Sequence, residues 1–273
     1  MNPLAGKAAA FRALHERAGP FLIPNPWDRG SALILESMGF EALATTSLGL
    51  ANVLGVRQVT LQQVIDNCRE ICGATRLPVN ADLENCFADE PREAAKAIGL
   101  ACEAGAVGGS IEDSTGDAQK PIYDFSLAVE RVQAAAEAAR SMPVPFMLTA
   151  RAENFLHGRK DLNDTLRRLQ AFEAAGADVL YAPGLYSLEE MRTVTSALKK
   201  PFNAVMGFAD PRITLAQLGE AGVKRVSIGG GLNRVALNAF MEAAKQMREG
   251  KFGFITSMAP MADVRRAFSR VPL

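Results

Sequence analysis

At 273 residues the chain exceeds the size at which one hydrophobic core usually stops growing, yet α/β barrels of this length routinely fold as one domain. Hydrophobic residues at 48% and charged residues at 22% exclude disordered, collagen-like and coiled-coil chains. Thirty basic residues balance thirty acidic ones, so no net field draws the chain to nucleic acid or an anionic membrane, and neither is expected as a partner.

The first twenty residues, MNPLAGKAAAFRALHERAGP, carry scattered charges and no apolar core of signal-peptide length, and they read as an N-terminal helix. No uncharged apolar run reaches the ~18 residues that cross a bilayer. The four cysteines, Cys68, Cys72, Cys86 and Cys102, form no CxxC pair, and a reducing cytoplasm is the expected location.

Beyond residue 20, short β-rich runs alternate with longer amphipathic segments. The runs are FLIP (21–24), EALATTS (41–47), LPVNAD (77–82), GGSIED (108–113), PFMLTAR (145–151), DVLYAP (178–183), FNAVM (202–206) and KRVSIGG (224–230). Between them, stretches such as TLQQVIDNCREICG and DLNDTLRRLQAFEAAG repeat apolar residues at three- and four-residue steps, and SLEE at Ser187–Glu190 has capping-box spacing. Four units close alike, in SMGFEA, EAGAVG, EAAGADVL and EAGVKRV, where a glycine can take the left-handed conformation that ends a helix. Eight units of about 34 residues predict a single α/β domain over 1–273, a (β/α)8 TIM barrel. A doubly wound open sheet is the rival, but FLIPNPWDRG lacks its GxGxxG turn. After the eighth strand, LNRVALNAFMEAAKQMREG reads as a helix, followed by an extra C-terminal helical extension over about 252–273. An apolar face that its own barrel cannot cover calls for a partner subunit, so a homo-oligomer is expected.

Barrel enzymes carry their chemistry at the C-terminal strand ends. There the sequence places Thr45, Thr46, Ser47 and Gly49 (strand two), Asn80, Asp82, Glu84 and Asn85 (three), Glu112 and Asp113 (four), and Arg151, Glu153 and Asn154 (five). Asp82 and Glu112 on adjacent strands are the oxygen ligands that suit Mg2+ or Mn2+; the plainer alternative has them capping helices or pairing with Arg151. Glu84 and Asp113 divide between ligation and a structural role. The 46–49 segment is either a plain turn or a cradle of amides and hydroxyls for a carboxylate. Arg151, approached by the apolar LTA, reads as an anion binder. His15 is expected in solvent and His157 in a loop, Cys68 and Cys72 in the core, Cys86 without a nucleophilic role, and Gly229–Gly231 in a tight turn rather than a phosphate site.

The segments PNPWDRGSALILESMGFEALATTSLGLA, LPVNADLENCFAD, AGAVGGSIEDS and MLTARAENFL, in this order and spacing, resemble the isocitrate lyase and phosphoenolpyruvate mutase superfamily. The resemblance implies a Mg2+-dependent (β/α)8 barrel that binds 2-oxo acids and makes or breaks a C–C or P–C bond through an enolate. It also implies a homotetramer, a dimer of dimers that swap a C-terminal helix. Thr46, Ser47 and Leu48 match the substrate-carboxylate segment, Asp82 and Glu112 the metal carboxylates, and Arg151 the arginine on the substrate oxyanion. Asn154 joins the substrate-binding set, and Glu84 the metal set, with Asn80 one shell further out.

The departures shape the reading. Asn80 and Gln58 stand where aspartates are expected, and STGDAQKPIYDF lacks the lyases' Cys and His, leaving Lys120 as its one basic residue. The resemblance therefore implies a C–C lyase or decarboxylase on a small 2-oxo acid or dicarboxylate, with residues 114–123 as a candidate lid and water, Tyr181 or Tyr123 as proton donor. P–C chemistry on phosphonopyruvate and a non-catalytic 2-oxo acid binding protein are the alternatives.

Overall fold

The computed structural model describes residues 3–269. Helix α1 (Pro3–Glu16) precedes eight strands: β1 (Phe21–Leu22), β2 (Leu43–Ala44), β3 (Val79–Ala81), β4 (Gly108–Glu112), β5 (Met147–Arg151), β6 (Val179–Tyr181), β7 (Phe202–Val205) and β8 (Arg225–Ser227). All pair in parallel, in the order β1-β8-β7-β6-β5-β4-β3-β2. Between β1 and β2 the Ala44 N–H donates to the Pro24 carbonyl at 3.1 Å, drawing the curled sheet together as a TIM-barrel-like fold. Each run expected to be a strand contains one.

The intervening helices are α2 (Arg29–Ser37), α3 (Ser47–Leu54), α4 (Leu61–Ala74), α5 (Pro91–Glu103), α6 (Phe125–Arg140), α7 (Leu162–Ala174), α8 (Leu188–Ser196) and α9 (Leu215–Glu220). Their starts are set by side chains that satisfy orphan amides: Asp28 with Ser31, Thr60 with Gln63, Ser187 with Glu190 and Thr214 with Gln217 each form a reciprocal capping box. The four repeated unit ends do place their glycines at positive φ, from +83° at Gly222 to +107° at Gly176, so each chain reverses without a Cβ clash. Helix α3 is an element that the periodicity did not separate from the turn before it.

The end of the barrel opposite the strand C-termini is closed by α1, whose Phe11 is fully buried. At Gly108 a Cβ would stand 2.9 Å from both the Phe11 ring and the Met147 carbonyl, so only glycine lets ring and strand meet there. His15, expected in solvent, is instead buried edge-on between the Phe11 and Phe21 rings, with centroids at 4.7 and 4.9 Å. The reason is helical spacing: Phe11 and His15 are four apart and share the inward face of α1. The Phe11 carbonyl accepts from His15 Nδ1 at 2.8 Å.

Burial, helped by the positive charge of Arg225, lowers the His15 pKa from 6.5 to about 3. The ring is thus neutral in the fold but protonated in the unfolded chain below pH 6.5, so its contribution to stability is lost as pH falls from 6.5 toward 3. The slope is about 1.4 kcal/mol per pH unit. Between pH 7 and 5, urea unfolding of the native protein should lose roughly 2 kcal/mol more than that of His15→Leu. Equal losses would refute this account.

After β8, helix α10 (Gly231–Arg248) has Asn233 as its one buried residue among those described, while Val235, Phe240, Met241 and Met247 stand more than half exposed. A 3-10 turn (Gly253–Ser257) leads to α11 (Met261–Phe268), which packs on α2 of its own chain and buries Ala267. The C-terminal extension is helical over Met261–Phe268, and its residues 270–273 lie outside the described part. None of the described helices is long and apolar enough to cross a membrane.

Candidate active site

A cavity of about 280 Å³ runs into the barrel from the C-terminal strand ends. Strand register builds its mouth: Glu112 on β4 pairs with Arg151 on β5, which pairs with Tyr181 on β6, and Asp82 follows directly after β3. Arg151 is the hub. Its guanidinium lies 3.0 Å from Asp82, 3.1 Å from Glu112 and 2.9 Å from Glu153, and 4.9 Å from the centre of the Tyr181 ring. Asp82 is fixed from the other side, its Oδ2 accepting from the Ser47 N–H at 2.9 Å while the Thr45 hydroxyl oxygen accepts its own N–H at 2.8 Å.

Negative charge exceeds positive charge here. Burial opposes the ionised Arg151, but Glu112 and Glu153 outweigh it and hold the guanidinium protonated well above its usual range. Burial raises Glu112 far above an ordinary carboxylate; Arg151 pulls back, and the charges of Glu153, Asp82 and Glu84 push further up. Burial and then the charge of Asp82 lift Glu84 to about 7. Carboxylates raised in this way are short of a cation, and hard oxygen donors are what Mg2+ or Mn2+ takes. Among the described residues no group of three His, Cys, Asp or Glu side chains is arranged to hold a metal ion by itself.

The structure brings Thr46, Ser47, Leu48, Asn80, Asp82, Glu84, Glu112 and Arg151 to one cavity. It corrects several roles. The 46–48 segment is neither a plain turn nor an open cradle but the start of α3: Thr46 caps Gly49 N–H through its hydroxyl, and Ser47 N–H is committed to Asp82. Asn154 does not line the cavity; its side chain is buried and donates to Asp164 at 2.7 Å, because residues 152–154 already turn away from β5 toward α7. Asn80 lines the cavity, but its Nδ2 donates to the Ala81 carbonyl at 3.3 Å and its Oδ1 has no hydrogen-bond partner, so no hydrogen bond joins it to the carboxylates. Asp113 points outward into an ion pair with Arg168 at 3.1 Å. Tyr123 donates to Asp89 at 2.5 Å, outside the cavity, which leaves Tyr181 as the cavity tyrosine. The amides of Ile228 and Gly229 are both taken by Asn25 Oδ1, at 3.0 and 2.9 Å, which holds the glycine turn against β1 as a structural feature.

Cys68 and Cys72 are buried in the core as expected, and burial pushes the Cys86 thiol up to about 12, so it is no nucleophile. Residues missed from the sequence are Glu153, which follows β5 and was seen but given no role, and the inward-facing Thr149, Asn203, Arg225 and Ser227. The signal for the latter was available: polar residues at strand positions that alternate into the barrel.

The loop carrying Glu84 is strained, with Glu84, Cys86 and Phe87 at φ of +49°, +59° and +57°. Arg131 of α6 holds it. This fully buried side chain donates to the carbonyls of Ala88, Asp89 (2.8 Å) and Asn85 (2.5 Å), with its guanidinium 4.2 Å from the Tyr123 ring centre.

Comparison with known proteins agrees with this geometry. The family model described as phosphoenolpyruvate phosphomutase matches residues 11–248. An uncharacterised protein of Mycobacterium tuberculosis is 30% identical over 247 residues, covering 89% of this chain and 90% of its own length. An oxaloacetate decarboxylase of Paraburkholderia xenovorans is 29% identical, covering 88% and 82%. Among solved structures, a Burkholderia cenocepacia protein described only as a lyase/mutase superposes with a TM-score of 0.96 at 51% identity, covering 100% of this chain and 98% of that one. A matched span that takes in β1 to β8 and every residue at the cavity mouth means that the chain belongs to the phosphoenolpyruvate mutase family, within the isocitrate lyase and phosphoenolpyruvate mutase superfamily.

Proposed function

We propose that the chain is a divalent-metal-dependent carbon–carbon lyase, a decarboxylase or hydrolytic lyase, acting on a small 2-oxo acid with an oxaloacetate-like skeleton. The observation that carries this reading is Arg151, a largely enclosed cation facing a cavity mouth where Asp82, Glu84 and Glu112 leave surplus negative charge. Asp82 and Glu112 are the residues that would hold the cation, partly through water, with Glu84 beside them. When bound, Mg2+ or Mn2+ supplies Lewis-acid polarisation of the substrate's carboxylate and keto oxygens.

The chain's own groups then have defined tasks. Arg151 directs its guanidinium at the keto oxygen and stabilises the enolate oxygen that develops as the bond at C3 breaks and its electron pair moves toward C2. Tyr181 lines the cavity with its ring 4.9 Å from the Arg151 guanidinium, which makes it the tyrosine placed to deliver a proton to C3. Cys86 does not line the cavity and is excluded from that task. The name of the Paraburkholderia relative supports an oxaloacetate-like substrate.

Isothermal titration of oxalate, which mimics the pyruvate enolate, is the test. Binding should require Mg2+ and should weaken at least about 100-fold in Asp82→Ala. Oxalate that fails to bind under any metal condition would sink the lyase reading. In the same reading a second copy of the chain covers the exposed apolar face of α10, and sedimentation should return a mass above that of one chain.

A further inference from the structure

The guanidinium on which the proposed reaction depends is held from behind the cavity. Arg151 donates its Nε–H to Glu153 Oε1 at 2.9 Å. Glu153 is buried and outside the cavity lining, and its own N–H is fixed by Asp113 Oδ1 at 2.8 Å. Asp113 also grips Arg151 directly, donating its N–H to the Arg151 carbonyl at 3.2 Å. It thus holds the chain on both sides of Ala152, where β5 ends and the backbone turns away.

Asp113 is held in turn by one cation. Buried Arg168 of α7 donates Nη1 to Asp113 Oδ2 at 3.1 Å, and among the described residues it is the only cation paired with that carboxylate. Its Nε donates to Asp164 Oδ2 at 2.9 Å, the same oxygen that accepts the Asn154 side-chain amide at 2.7 Å. Both carboxylates that grip the Glu153–Asn154 pair are therefore paired with a single guanidinium. Arg168 Nη1 also reaches the Tyr123 carbonyl at 3.1 Å, while the Tyr123 N–H donates to the Asp113 carbonyl at 2.8 Å, which closes the unit. None of these residues lines the cavity, and the reaction outlined above uses none of them.

The consequence for the mouth is electrostatic and geometric. A buried carboxylate that loses its cation takes up a proton or draws in water, and Asp113 would then grip the Glu153 N–H less firmly. Glu153 is one of three carboxylates that share the Arg151 guanidinium, the others being Asp82 and Glu112. A displaced Glu153 lets that guanidinium swing toward the other two and away from a ligand oxygen.

We infer that Arg168 is a positioning residue: through Asp113 and Glu153 it sets the direction of the Arg151 guanidinium. Its effect on ligand binding rests on the reading that Arg151 meets the substrate oxygen.

Two measurements separate this role from that of a purely structural ion pair. The first is the Arg151 Nε–H signal in 1H–15N spectra, assigned by its loss in Arg151→Met. This proton should exchange at least about tenfold faster in Arg168→Met than in the native protein. The second is calorimetric titration of oxalate with Mg2+. Folded Arg168→Met should bind about tenfold more weakly than the native protein. In the Glu153→Ala background the same substitution should change affinity by less than about threefold, because the route through Glu153 is gone.

Arg168→Lys keeps a cation beside Asp113, guards against a Met variant that does not fold, and should show the same two changes at smaller size. Unchanged Arg151 exchange in whichever variant folds, or an oxalate loss of equal size with and without the Glu153 side chain, overturns the inference and leaves the lyase reading standing. Oxalate that binds under no metal condition, beside an Arg151 signal that still depends on Arg168, removes the lyase reading and upholds the positioning of Arg151.

Discussion

Arg151→Met should abolish measurable oxalate binding, lower turnover of any accepted 2-oxo acid by about 1000-fold, and cost roughly 3 kcal/mol of stability. One guanidinium here satisfies Asp82, Glu112 and Glu153 at 2.9 to 3.1 Å, so its removal leaves three carboxylates facing one another in a desolvated mouth. Glu112, already raised by burial, takes up a proton first, and the mouth then lacks the cation that an enolate oxygen needs. Arg151→Lys should recover little: a single ammonium keeps the charge but cannot reach three carboxylates with the planar fork that the site is built around. Titration calorimetry and urea unfolding read the two effects separately. Oxalate affinity in Arg151→Met within threefold of the native value would remove Arg151 from the centre of the mechanism.

The second large effect is expected at a residue outside the cavity. Arg131→Met should destabilise the protein by about 3 kcal/mol, since the carbonyls of Asn85, Ala88 and Asp89 lose their donor together and the buried side chain loses its place. Those carbonyls belong to the segment in which Glu84, Cys86 and Phe87 adopt left-handed backbone conformations, each unfavourable by about 1 to 2 kcal/mol and held only by what surrounds it. Released, the segment relaxes and withdraws the Glu84 carboxylate from the mouth. The Mg2+ dependence of oxalate binding should therefore shift to higher metal concentration, an effect that a loss of global stability alone would not produce. Arg131→Lys should fail to restore it, because one ammonium does not span three carbonyls. Unchanged metal dependence in a folded Arg131→Met would show that the clamp serves stability alone.

What was legible in the sequence was whatever depends on local chemistry. All eight strands lie inside β-rich runs, because side chains alternate along a strand and the face packed on the helices must be apolar or small. The glycines of SMGFEA, EAGAVG, EAAGADVL and EAGVKRV take positive φ because a helix that reverses into a strand within two or three residues needs a residue without Cβ there. Asp82, Glu112 and Arg151 converge because each ends a strand, and in a parallel barrel all strand ends face one way.

Other features depended on partners distant in sequence. His15 was misplaced because its burial is decided by Phe21 and by the depth to which α1 enters the barrel. Asn154 left the site because Asp164, ten residues on, captures its amide. The 46–48 amides are not an open cradle because Ser47 N–H meets a carboxylate 35 residues away. Arg225 was given no role because only closure of the sheet turns it inward against Thr149 and Asn203. The sequence by itself determined the repeated βα unit, the strand ends and the residue types available for chemistry, since propensity, capping and alternation act within a few residues. Which of those residues share a cavity, which are tied up as each other's partners and which charge is left without one were decided only by the tertiary structure, because hydrogen bonding and desolvation depend on distances that the chain sets when the barrel closes.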